Sequence, residues 1–257
     1  MPGLVLGAAR FSTFSFDRHF HLDYHIGLVT EGVQRLGYGG KTVLAGPGSV
    51  SLMPPGEIHD GTGVGEHGYT LKTFRLSREL LNSVAEDLSG SMREPEPTAA
   101  TLDDPALATR LVRLFNVMQA AQQRETLAAQ SEWLSLMNAL LTRSHAITPQ
   151  PAGGALSPRQ WLRVRDYCSA HLSEKITLDA LAALCDLGRF QFLRQFKQTV
   201  GMTPHAWLLR LRLEHACALL SRGAQSIADV AQGVGFYDQS HFNRAFRQAF
   251  GVSPSEY

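Results

Sequence analysis

The sequence predicts an α+β fold: short strands first, then helices beside them, then a back half that is all α. Three observations lead there. Residues 1–75 break into short apolar stretches separated by Gly and Pro, the pattern of a β-sandwich or barrel. Residues 105–143 carry apolar side chains at helical spacing. The last hundred residues contain one kind of helical unit twice.

In the front stretch, His19 to Val29 alternates and reads as one strand. Gly37–Leu44 reads as strand, turn and strand around Gly39-Gly40, and Ser49–Met53 as a short strand ending at Pro54-Pro55-Gly56. A period of two places His19, His21, Asp23 and His25 on one face, and Phe20, Leu22, Tyr24 and Ile26 on the other. Three histidines on one face, with His59 beyond, are the residue types that hold Zn²⁺, Fe²⁺ or Ni²⁺. His19, His21, His25 and His59 are therefore candidate metal ligands.

Ser77–Leu88 reads as a helix. Two longer helices are expected at Pro105–Gln122 and Glu125–Arg143. Leu107, Leu111, Leu114, Phe115 and Met118 form an apolar stripe on the first, and Trp133, Leu134, Met137, Leu140 and Leu141 on the second. Ile147 to Ala155, with two prolines and adjacent glycines, reads as a linker. The expected domains are 1–146 (barrel to about 76, helices 77–145), a linker at 147–157, and 158–257.

In the back half, the first copy runs Thr177–Gly188, Arg189-Phe-Gln-Phe-Leu-Arg-Gln-Phe-Lys197 and Gly201-Met-Thr-Pro204. The second runs Ser226–Gly235, then Phe236-Tyr-Asp-Gln-Ser-His-Phe-Asn-Arg-Ala-Phe-Arg247 and Gly251-Val-Ser-Pro254. Each is a capped short helix, a glycine-bearing turn and a second helix. That is the helix-turn-helix plan, in which the second helix enters the DNA major groove. Thr177 and Ser226 are expected N-caps. Phe192/Phe196 and Phe242/Phe246 share a face at i, i+4 and should point to the core. The faces left for double-stranded DNA are then Arg189, Phe190, Leu193 and Arg194 in the first copy, and Gln239, Ser240, His241 and Arg244 in the second. Arg suits guanine, Gln adenine, Ser either, and Phe or Leu a thymine methyl. Thr203–Ser221 reads as one long helix holding the two readers at a fixed distance, to be matched to about 34 Å of DNA.

Composition narrows the alternatives. At 257 residues, with 44% hydrophobic and 18% charged residues, the chain can bury a core. It has no apolar run of membrane-spanning length and no signal-peptide pattern at Met1–Gly7. Cys168, Cys185 and Cys217 are odd in number and lie in expected helices, which fits a reduced cytoplasm better than disulfides or a zinc–cysteine site. The net charge of +1 hides an asymmetry: residues 158–257 hold 12 Lys+Arg against 8 Asp+Glu, net +4, and residues 1–157 hold 12 against 15, net −3. Neither a phosphate-binding Gly-rich loop nor a nucleophile–base arrangement is visible, so no enzyme activity is expected.

The back half resembles the AraC/XylS family of transcription regulators. The matching residues are Phe192–Lys197, Gly201–Pro204, Arg210–Ala216, Ile227–Ala231, Gly235–Phe246 and Gly251–Tyr257. Gly188 stands where the family usually has Ser, and Leu193 where some relatives carry a polar base reader. In the front half, His19-x-His21-x-x-x-His25 and Gly48–His59 resemble the two cupin motifs, with His25 at the usual Glu place and Gly63 at the usual Asn place. The resemblance implies a cupin-like effector-binding barrel with a helical dimerisation segment. An organic effector in the barrel would be touched by some of His21, Tyr24, His25, Glu31 and His59. It also implies a homodimer, contact with RNA polymerase, and activation of transcription. The alternatives are a metal-sensing regulator and a metal-dependent cupin enzyme fused to a DNA-binding domain.

Overall fold

The computed structural model describes residues 1–12, 14–98, 101–120, 126–150, 153–221 and 226–257. By contact density the chain divides into two compact units, Met1–Glu125 with Glu132–Pro151, and Thr126–Ser131 with Ala152–Tyr257. Residues 151–152 of the expected linker, and 121–125 between the two long helices, lie outside the described residues.

The front unit is a barrel-like sandwich of two antiparallel sheets. Its strands are β1 (Leu4–Phe11), β2 (Ser15–His19), β3 (Tyr24–Glu31), β4 (Gln34–Tyr38), β5 (Lys41–Ala45), β6 (Ser49–Met53), β7 (His59–Gly63), β8 (Tyr69–Leu76) and β9 (Thr101–Asp103). One sheet has the order β1-β8-β3-β6-β9, and the other β2-β7-β4-β5. The expected turn at Gly39-Gly40 joins β4 to β5, with both glycines at positive φ, 52° and 73°. Paired positive φ values make the tight hairpin whose twist matches its strands.

The strand expected from His19 to Val29 is instead two strands in different sheets. β2 ends at His19 and β3 begins at Tyr24. Residues 20–23 cross between the sheets, and Leu22, 75% exposed, points to solvent there. Alternation continued through the crossing although the backbone did not.

Three helices accompany the sheets: α1 (Arg78–Ser89), α2 (Pro105–Ala120) and α3 (Leu127–Arg143). Ser77 caps α1, accepting from the Leu80 N–H at 3.2 Å. Both predicted apolar stripes are buried. Phe115 of α2 meets Phe74 of β8 edge-on at 5.5 Å, and Trp133 of α3 lies 5.9 Å from Phe74. Both stripes are thus covered within the protomer.

Among its described residues the back unit is all α beyond residue 157: α4 (Pro158–Ala170), α5 (Leu178–Ala183), α6 (Arg189–Val200), α7 (Pro204–Leu220), α8 (Ile227–Gly233) and α9 (Gln239–Phe250). The predicted caps form. Thr177 Oγ1 accepts from the Ala180 N–H at 3.2 Å, and Ser226 Oγ from the Asp229 N–H at 3.1 Å. Phe192, Phe196, Phe242 and Phe246 are all fully buried. The connecting helix α7 has 17 residues, a span of about 25 Å. All three cysteines are free and buried. Burial pushes the Cys168 thiol up to about 12, which keeps it protonated and unreactive.

Candidate functional site

A cavity of about 230 Å³ opens between the two sheets of the front unit. Four strands supply its walls by alternation: His25 and Gly27 from β3, Gln34 and Leu36 from β4, Ser51 and Met53 from β6, and Leu71 and Thr73 from β8. Each pair is two residues apart, as inward-facing strand positions must be. Phe11 and Phe16 complete the apolar wall. Inside, the Gln34 side-chain amide donates to the Tyr69 hydroxyl at 3.2 Å.

The polar end of the cavity is made of histidines. His19 pairs with His59 across β2 and β7, and their ring centroids are 4.4 Å apart. The His21 ring, carried on the crossing segment, lies 4.9 Å from each. His25 stacks flat on His21, with centroids 3.6 Å apart and planes 7° apart. Its buried Nε2 has no hydrogen-bond partner. Burial, followed by the neighbouring His59 and His19, lowers the pKa of His21 to about 4. Burial and then His21 lower that of His25 to about 3. Burial also lowers His59, opposed by its bond to the Glu57 carbonyl. His21, His25 and His59 are therefore neutral at physiological pH.

The structure therefore brings His19, His21, His25 and His59 together, although two sheets and a crossing supply them. Tyr24 and Glu31, named from sequence as effector contacts, lie outside the cavity. The Tyr24 hydroxyl donates to the Pro95 carbonyl at 3.0 Å and to Glu94 at 3.2 Å, because its strand position faces away from that of His25. Glu31, at the exposed end of β3, pairs with Arg10 at 2.7 Å and accepts from Thr70 at 2.9 Å. The apolar wall residues were missed. Their signal was the period-two pairing on β4, β6 and β8, which is unreadable until the strands are in register.

In the back unit, α9 presents Gln239, Ser240, His241 and Arg244 to solvent, as expected. Asp238 caps this helix, accepting from the His241 N–H at 2.7 Å. Tyr237, 80% exposed just before it, and Arg247 on the same face were not anticipated. The first reader departs further. Phe190 and Leu193 are only 6% and 8% exposed, so they belong to the core and not to a base-reading face. With Phe192 and Phe196 they widen the buried arc of α6. Arg194 remains half-buried, its guanidinium 5.3 Å over the Phe190 ring. Arg189 lies 3.7 Å from Asp179. The outer side of α6 instead runs Gln191, Arg194, Gln195 and Gln198, a spacing of i, i+3, i+4, i+7. Gly188 caps α6 without a side-chain hydrogen bond.

Comparison with known proteins agrees with this division. Residues 1–137 match the AraC-like ligand binding domain family, and residues 181–257 match a helix-turn-helix domain family. The chain belongs to the AraC family of transcriptional regulators. The arabinose operon regulatory protein of Salmonella typhimurium is 28% identical over 241 residues, 91% of this chain and 83% of that protein. The HTH-type transcriptional regulator YbfI of Bacillus subtilis is 24% identical over 247 residues, 93% of this chain and 86% of that one. The MmsAB operon regulatory protein of Pseudomonas aeruginosa is 42% identical over 91 residues, covering 35% of this chain and 30% of its own length. This AraC-family chain is accordingly a DNA-binding regulator with a ligand-binding front domain. None of its described helices is long and apolar enough to cross a membrane.

Proposed function

We propose that this AraC-family chain converts occupancy of the front cavity by a small organic effector into a change in promoter occupancy. The observation that carries the reading is the cavity itself, with apolar walls from several strands and a polar end of neutral imidazoles. At about 230 Å³ it is smaller than the roughly 300–1,000 Å³ usual for small-molecule sites. The effector is therefore small and mostly apolar, with one head group that bonds to the histidines. The contacts are His21, His25 and His59 at the head, and Phe16, Leu36, Met53 and Leu71 along the body.

The DNA contacts are Gln239, Ser240, His241 and Arg244 of α9, with Arg189 and Arg194 of α6. Arginine at such positions also has phosphate within reach. The effector acts by binding two arrangements of the chain unequally. Activation of transcription, contact with RNA polymerase, a cytoplasmic location and action as a homodimer are proposed from the family resemblance. The buried stripes of α2 and α3 lend the dimer no support of their own. The proposal assigns the chain no catalytic role.

The test is a thermal-shift screen of small organic acids and alcohols on the full-length protein, followed by DNA binding with each hit. A hit should raise the melting temperature, change DNA affinity, and lose both effects in Leu36→Trp, which fills the cavity. Ligands that stabilise the wild type and the filled variant equally would overturn the assignment.

A further inference from the structure

The histidine end of the cavity has a feature that an organic head group alone does not require. One nitrogen from each of His19, His21 and His59 lies within 4.8 Å of the others. Hydrogen bonds set the tautomers of two of these rings. His19 Nδ1 lies 2.7 Å from the Asp17 carbonyl oxygen, and His59 Nδ1 lies 2.9 Å from that of Glu57. A carbonyl oxygen only accepts, so Nδ1 of each ring carries a proton and donates it. Nε2 is left with the lone pair. Anchoring the far ring N–H on a backbone carbonyl is how histidine ligands are oriented around a metal. His21 is braced from behind by the stacked His25 ring.

Three imidazoles gathered this closely place acceptor lone pairs in one small volume. A shared proton bridges only two of them, whereas a metal ion takes all three. Tetrahedral ligation at zinc–nitrogen distances of about 2.0–2.1 Å puts ligand nitrogens about 3.4 Å apart. In the present cluster the three ligand nitrogens lie within 4.8 Å of one another, so an ion has to draw them together.

We infer that His19, His21 and His59 bind one divalent transition-metal ion, leaving at least one coordination position open to the cavity. The inference rests on the cavity being the ligand site and specifies its head-group chemistry. Imidazole ligands suit Zn²⁺, Ni²⁺, Fe²⁺ or Cu²⁺. Three neutral ligands leave the ion its full positive charge, so the fourth ligand it prefers is an anionic oxygen donor such as a carboxylate. The apolar wall then takes the rest of that molecule.

The experiment uses full-length protein stripped with EDTA and dialysed. It is titrated with Zn²⁺ against a chromophoric chelator, and with Co²⁺ followed by visible absorption. One equivalent of Zn²⁺ should bind with a Kd of about 1 µM or tighter, and Co²⁺ should give the intense bands of a four- or five-coordinate site. His21→Ala and His59→Ala should each weaken binding by about 100-fold or more, past the range of outer-shell changes. His215→Ala, on the exposed side of α7, should leave it unchanged. Circular dichroism checks folding, and His59→Gln replaces His59→Ala if the latter does not fold. The site is overturned if the wild type binds no ion tighter than about 100 µM, or if the folded His21→Ala and His59 variants retain wild-type binding. A stripped protein that still responds to organic ligands while failing to bind zinc keeps the effector reading and loses the metal. Zinc binding without any organic response keeps the metal and loses the organic effector.

Discussion

Replacing Gly235 with Ala should unfold the DNA-binding unit far more readily than replacing Gly201 with Ala, and the structure says by how much. Both glycines have positive φ, 87° and 78°. At either position a Cβ costs about 1–2 kcal/mol for the left-handed backbone. Around Gly201 nothing lies within 4 Å of an added Cβ, so that is the whole cost. Around Gly235 the added carbon would overlap the Leu172 carbonyl oxygen and come within 2.8 Å of Arg212 Nη2. Arg212 is itself committed, its Nη2 donating to the Glu174 carbonyl at 3.0 Å. The turn before α9 is thereby packed on the segment that precedes α5, and a backbone oxygen has little room to retreat. Overlap should add about 2 kcal/mol or more, the range for overpacking a tight site. A domain of roughly a hundred residues loses about 4–8 °C per kcal/mol. Gly201→Ala should therefore lower the melting temperature by about 4–16 °C and Gly235→Ala by at least about 12 °C and always by more than Gly201→Ala. Differential scanning calorimetry on the full chain reads both. Equal shifts would refute the close packing of the Gly235 turn on Leu172 and Arg212.

Phe190→Ala should cost about 3–5 kcal/mol of stability, as loss of a buried ring does, and urea unfolding measures it. A stability unchanged from wild type, with altered base preference, would return Phe190 to the DNA face. Metal-free protein should lose stability as pH falls from about 6.5 towards 4. His21, His25 and His59 are held below their ordinary value in the folded state, so the unfolded chain binds more protons there. The stabilisation is present above pH 6.5, declines as pH drops, and levels off below the folded values. Melting temperatures of chelator-treated wild type and His25→Gln across this range should show a shallower slope in the variant, and parallel slopes would contradict the cause. Asp238→Ala should cost about 1 kcal/mol, the usual loss of an N-cap, seen as a lowered urea midpoint.

Much of the back half was legible because helical repeats signal locally. A cap such as Thr177 or Ser226 and a pair such as Phe242/Phe246 depend on neighbours within a few residues. The same locality made Ser49–Met53 and the Gly39-Gly40 hairpin readable. What failed depended on distant partners. Nothing between His19 and Val29 announces that the chain leaves one sheet for another, so Tyr24 was assigned to a cavity it faces away from. The histidines meet anyway because β2 pairs with β7 and β3 with β8 and β6. Assuming equal faces for the two readers misplaced Phe190 and Leu193. Their spacing with Phe196, at i, i+3 and i+6, was already an apolar arc. The stripes on α2 and α3 showed that these helices bury a face, and only the fold shows that they bury it within the chain.

The central claim is that one chain reads two successive stretches of DNA. Selection of binding sites by the full-length protein from a random-sequence duplex library tests it most directly. The account predicts an enriched bipartite motif with its two parts about one helical turn apart. Binding should weaken steeply with salt, and Arg244→Ala should cost about 1–3 kcal/mol and erode preference in only one part. A library that stays unenriched, or a single contiguous motif untouched by Arg244→Ala, would contradict it.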